Sequence, residues 1–206
     1  MPRARSDLDT RIVLAARTRF LGEGVDGASL RSIAQDAGTN VGMIYYYFPT
    51  KDDLFLAVVE SVYARLLDDL TEIFAPERPV RERLHGAYQR VARMSDEEFD
   101  VIRIVVREAM ISSSRLQKLF ARFTAGHVPL LLSTLQAGLA DGTLSPGVPL
   151  PALVAALAST VIFPQLARRR IGAELPMLAQ ILPTPQALAD ALFEIVMHGV
   201  AARPGG

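Results

Sequence analysis

Across residues 9–21 the apolar positions Ile12, Ala16 and Phe20 recur at four-residue steps, the stripe of an amphipathic helix, and Gly22 and Gly24 predict its end. Leu30, Ile33, Ala34 and Ala37 give a second, short helix its buried side. Ser29 is placed to cap that helix, because its hydroxyl can accept from a backbone N–H two or three residues on. Gly38 supplies the left-handed residue that ends it. Asn40 then caps a third helix, which can run only from Val41 to about Tyr47 because Pro49 closes it off.

Thr50 opens a fourth helix, and Asp52 and Asp53 suit the positive end of its dipole. Phe55, Val59, Val62, Tyr63, Leu66, Leu70 and Phe74 carry its stripe for about six turns, until Pro76 and Pro79 break the chain. So long a helix projects beyond a three-helix unit and is expected to join two domains. Downstream the period stays helical. Leu84, Ala87, Tyr88 and Val91 form one stripe, and residues 99–111 are apolar around most of their circumference. Further helices are expected over 116–123, 127–139, 151–168 and 185–200. Strand-like alternation is nowhere sustained, so the expected fold is all-α.

Two short helices hinged at a glycine, the second offering polar and aromatic groups, have the build of a helix-turn-helix. Such a unit sends its second helix into the major groove of DNA. Charge neither supports nor opposes this. The 206 residues have zero formal net charge, and the first 51 hold seven basic against five acidic residues. The absence of cysteine excludes disulfides, thiolate metal sites and cysteine nucleophiles. The charged start, Met1-Pro2-Arg3-Ala4-Arg5, lacks the apolar core of a signal peptide, which accords with a cytoplasmic address. The apolar run over 150–167 is near the shortest spanning length but carries Pro151, Ser159, Thr160, Pro164 and Gln165, and reads better as a buried helix of a soluble protein than as a membrane span.

Arg11-Ile12-Val13-Leu14-Ala15-Ala16, Phe20, Gly24, Ile33-Ala34, Ala37-Gly38, Gly42, Ile44-Tyr45, Phe48 and Lys51 together resemble the N-terminal domain of the tetracycline-repressor (TetR) family. The match covers roughly residues 11–54, with agreement spaced across four helices. The resemblance implies an N-terminal three-helix helix-turn-helix domain over 1–53, and a larger helical ligand-binding and dimerisation domain over 54–206. It implies a homodimeric, usually repressing, transcription factor that a small molecule releases from a palindromic double-stranded operator. Aliphatic and aromatic residues dominate the C-terminal stripes, so the effector is expected to be apolar or amphipathic.

Carried over by position, the resemblance puts Thr39, Asn40, Val41, Gly42 and Met43 at the base edges, at the start of the recognition helix. Tyr45 and Tyr46 look like the family's aromatic phosphate and groove contacts, Lys51 like its backbone-binding lysine, and Arg31 like a residue that reaches the groove in some members. Ser29 completes the DNA-facing set. The chain departs from the family at Tyr47, where histidine is common, and at Thr39, where valine is common; both departures bear on which bases are read. Tyr63, Tyr88, Met110, Phe120, Phe123 and Phe163 are candidates to line an effector site, with core packing as their competing role.

Elsewhere the chemistry is sparse. His85, His127 and His198 have no second ligand at helical spacing, and no catalytic triad, phosphate loop or dinucleotide fingerprint occurs, so no metal, cofactor or enzyme activity is expected. Glu108, at the edge of an apolar face, either reads a polar group of a ligand or pairs with Arg103, Arg107 or Arg115, and pairing is the commoner fate. The run Arg168-Arg169-Arg170 is expected to be a solvated helix end. Two other classes compete with the regulator: an all-α enzyme or carrier, and an interaction protein that keeps the fold without binding DNA.

Overall fold

A computed structural model describes residues 7–200, and every element among them is a helix. In chain order they are α1 (Asp7–Gly27), α2 (Leu30–Asp36), α3 (Val41–Tyr47), α4 (Lys51–Ile73), α5 (Val80–Ala92), α6 (Asp96–Ile111), α7 (Ser113–Thr124), α8 (His127–Ala140), α9 (Leu150–Glu174), α10 (Pro176–Ala179) and α11 (Pro185–Val200). The expected fraying of residues 203–206 lies outside the described residues. Two compact units emerge, interleaved along the chain: Met1–Leu66 with Ser95–Phe123, and Leu67–Met94 with Thr124–Gly206.

In the first unit α1, α2 and α3 pack on one another and α6 packs on α1. Ile12, Ala16, Phe20, Ile33, Ile44, Leu54 and Phe55 form its water-free core, each large side chain contributing about 1.5–3 kcal/mol on burial. The first helix outruns its expected end. Gly22 does not stop it, and at Gly24 the backbone breaks with φ 81° and ψ 163°, after which a final turn continues to Gly27. Arg19 ties α1 to α2 through a two-pronged ion pair with Asp36 (2.6 and 3.0 Å). Its guanidinium holds the Asp36 carboxyl below the usual carboxylate range. The capping box of α6 uses Ser95 and Glu98, whose side chains accept from each other's backbone N–H at 3.2 and 2.8 Å.

The second unit packs α5 against α8, α9 and α11. Gly138 lets α8 approach closely: a Cβ there would stand 2.8 Å from Leu144 and 2.9 Å from Val80. Leu135, Leu153, Phe193 and Met197 lie in the core. Arg81 and His85 of α5 reach Glu194 and Asp190 of α11 at 2.6 and 2.7 Å.

Helix α9 differs from expectation twice. It runs on to Glu174, so the three arginines are not its end. Arg168 and Arg169 donate to the carbonyls of Pro183 and Met94 at 2.6 Å each, and Arg170 pairs with Glu174 at 3.0 Å. Nor is α9 a buried helix, since only Leu153, Leu157 and Gln165 are buried. Among the described residues it is the one helix long and apolar enough to cross a membrane. It nevertheless carries Pro164 inside and a buried Gln165 that donates to the Pro185 carbonyl at 2.8 Å, features of a helix packed on protein.

Candidate nucleic-acid interface

Local hydrogen-bond chemistry builds the α2–α3 pair. The Ser29 hydroxyl accepts from the Arg31 N–H at 3.2 Å, as a cap should. Gly38 at φ 64° turns the chain after α2, in the left-handed region that costs glycine nothing. Asn40 caps α3, its Oδ1 accepting from the Met43 N–H at 3.1 Å. Gly42 protects the cap, because a Cβ there would stand 3.1 Å from Asn40 Oδ1.

Ile44 anchors α3 in the core. Successive helical residues turn by about 100°, so the three tyrosines diverge. Tyr45 and Tyr46 are 53% and 61% exposed, whereas Tyr47 is half-buried and its ring meets that of Tyr46 edge-on at 5.2 Å. Ser29, Arg31, Asn40, Gly42, Tyr45 and Tyr46 are exposed, while Thr39, Val41, Met43 and Lys51 are half-buried. All ten sequence candidates lie in the first unit, on or beside α2, α3 and the start of α4.

The start of α4 is capped reciprocally. Thr50 Oγ1 accepts from the Asp53 N–H at 3.1 Å, and Asp53 Oδ2 accepts from the Thr50 N–H at 3.0 Å. Lys51 donates from Nζ to the carbonyl of Asp26 at 2.9 Å.

A charged cluster lies beside these residues that sequence reasoning only touched. Glu108, wholly buried, pairs with Arg115 at 2.6 Å, which settles its role as pairing with arginine. Arg115 also donates to Asp26 and to Asp52 at 3.1 Å each. Lys118 takes the other Asp52 oxygen at 2.9 Å. Arg115 holds the Asp26 carboxyl below the usual range. Burial opposes the charge of Asp52, but Lys118 and Arg115 together outweigh it and lower that carboxyl too. Asp26, with Asp52 and Glu108, raises the already high pKa of Arg115. The partners stand 63 and 89 positions from Arg115 in sequence, so only the fold reveals them.

The effector candidates divide between the units. Tyr63 and Phe123 meet in the first, ring centroids 5.3 Å apart, with Arg122 over Tyr63 at 4.3 Å. Tyr88 is buried in the second, bonded to Thr160 at 2.6 Å and packed on Phe193. Met110, Phe120 and Phe163 are exposed.

Residues 12–58 match the family model described as bacterial regulatory proteins, tetR family. The transcriptional regulator YvdT of Bacillus subtilis is 30% identical over 116 residues, covering 56% of this chain and 50% of YvdT. The repressor NicS of Pseudomonas putida is 38% identical over 78 residues, covering 34% of this chain and 35% of NicS. The chain thus spans half the length of the first relative and about a third of the second. The crystal structure of FadR from Bacillus subtilis in complex with stearoyl-CoA superposes with a TM-score of 0.74 at 18% identity, covering 92% of this chain and 98% of FadR. That likeness is one of fold.

Proposed function

We propose, on the premise that this chain belongs to the tetR family of bacterial regulatory proteins, that it is a ligand-responsive transcriptional regulator binding a palindromic operator as a homodimer. The observation that carries the reading is the outward face of α3: Gly42, Tyr45 and Tyr46 are exposed beside Lys51 at the start of α4, while Ile44 fixes the helix to the core. Two adjacent exposed tyrosines on so short a helix add nothing to a packed core. Their hydroxyls and the lysine suit phosphate oxygens, and the small residues at the start of α3 admit close approach to base edges. Residues 1–53 are the DNA-reading part in this proposal, and 54–206 bind effector and partner.

Dimerisation rests on α9 and α11. Phe163 and Ile195 are 55% and 68% exposed on helices whose opposite faces are packed. An isologous pairing of these faces would cover them and set two recognition helices about one DNA turn, ~34–36 Å, apart. Helix α8 packs Leu135 and Gly138 within its own unit, against α5. The effector is an apolar or amphipathic small molecule, a reading supported by the buried Tyr63 and Tyr88 and by the aliphatic helices around Tyr88. FadR, solved with stearoyl-CoA, is an instance of this fold with an amphipathic ligand. A cytoplasmic, non-catalytic, repressing role follows from the same premise. Selection of bound sites from random duplex DNA tests it: enrichment of a palindrome is expected, and recovery of no preferred sequence overturns it.

A further inference from the structure

The break in α1 is held by two adjacent residues of α6. A helix end leaves carbonyls without partners in the helix, and a helix start leaves N–H groups in the same position. Arg107 donates to the carbonyls of Phe20 and Leu21, the latter at 3.3 Å. Glu108 Oε1 accepts from the Val25 N–H at 3.1 Å, just past Gly24. The signs match both helix dipoles, with the cation at the carbonyl end and the anion at the N–H end.

The other oxygen of Glu108 passes the constraint to Arg115. Arg115 grips Asp26, which stands shortly before α2, and Asp52, which stands shortly after α3. One guanidinium therefore holds the chain on both sides of the segment that faces DNA. Lys51 is drawn into the same knot through the Asp26 carbonyl. The buried Glu108–Arg115 pair loses in desolvation much of what it gains in attraction, so its worth lies in the one geometry it permits. The forked, five-donor guanidinium is the group that can serve three carboxylates at once, and an ammonium lacks that planar fork.

We propose that Glu108 and Arg115, backed by Arg107, are positioning residues that set the pose of α2 and α3 without themselves touching DNA. The inference rests on the DNA-binding reading above. Its test uses the full chain and two duplexes, one selected from a random pool by the unaltered protein and one of equal length without the selected site. Affinity is measured across a salt series for Arg115→Lys, Asp52→Asn and Lys51→Ala, with thermal melting of each.

Arg115→Lys keeps the charge and loses the fork. It is expected to weaken the selected duplex roughly 2- to 30-fold while the salt slope and the affinity for the unselected duplex stay near those of the unaltered protein. Asp52→Asn, at a more exposed site, shifts discrimination in the same direction, with a melting midpoint lowered at neutral pH but a fold retained. Lys51→Ala, in contrast, lowers the slope. Unchanged discrimination in folded Arg115→Lys and Asp52→Asn would overturn the positioning role and leave the DNA reading standing. A reduced salt slope in Arg115→Lys would make Arg115 a direct phosphate contact and overturn it as well. Failure of the unaltered protein to select any duplex would defeat the DNA reading first, and this inference with it.

Discussion

The Lys51 ammonium donates to the backbone carbonyl of Asp26 at 2.9 Å, joining the start of α4 to the stretch that leads into α2. The lysine is thus held at the mouth of the α2–α3 unit. A carbonyl is a neutral acceptor, so a phosphate oxygen, carrying charge, competes well for the same ammonium.

Lys51→Ala should weaken binding to all DNA sequences alike and reduce the slope of log affinity against log salt by about 1, as loss of one phosphate contact requires. Tyr45→Phe should likewise weaken binding without altering preference. Fluorescence anisotropy on selected and scrambled duplexes reads both. A change in the preferred sequence with Lys51→Ala would contradict the assignment.

Gly24→Ala should destabilise the fold by about 1–2 kcal/mol, because an L-residue at positive φ meets its own backbone. Space is not the obstacle: a Cβ there would lie 3.7 Å from Arg107, ordinary contact. Thermal melting checks this, and an unchanged midpoint would show that the break can close into regular helix.

Asp26, Asp36 and Asp52 have carboxyls held below their ordinary 3.8 in the fold. A depressed folded pKa contributes stability that is complete above the unfolded value and is lost as pH falls through the folded one. Melting temperature should therefore hold steady down to about pH 5 and fall below about pH 4. Asp26 and Asp36 are water-exposed enough that solvent screens their pairs, so Asp52→Asn should flatten the acid limb more than Asp36→Asn. A loss centred near neutrality would contradict this.

The two faces of α9 answer differently to substitution. Phe163→Asp or Ile195→Asp, on exposed positions of α9 and α11, should give folded monomers with weakened operator binding. Leu157→Asp, at a buried position, should unfold the second unit instead. Sedimentation velocity with circular dichroism separates these outcomes. A folded dimer with both exposed substitutions in place would place the interface elsewhere.

The caps at Ser29 and Asn40 and the turn at Gly38 were legible in the sequence because each depends on bonds between near neighbours. So was the divergence of the three tyrosines, which follows from helical geometry alone. The run of α1 past Gly22 was not legible, because its broken end is completed by Arg107 and Glu108, more than 80 positions away. Pairing of Glu108 with an arginine was legible, Arg115 among the candidates, but the ties of Arg115 to Asp26 and Asp52 were not, for the same reason. Among the effector candidates, residue type could not tell which way a side chain points: Tyr63 and Tyr88 turn inward, while Met110, Phe120 and Phe163 turn to water. The match to residues 12–58 includes the caps at Ser29 and Asn40 and the turn at Gly38.

The most direct test of DNA reading by α3 is the ratio of affinities for a selected palindrome and a scrambled duplex, measured across a salt series. The account predicts a ratio of about 10³ or more at physiological salt, with affinity for both duplexes falling steeply as salt rises. It also predicts that altering Gly42 or Met43 changes the ratio while Lys51→Ala leaves it unchanged. A ratio near one, or binding that ignores salt, would contradict the account and leave a helical protein that keeps the fold without reading DNA.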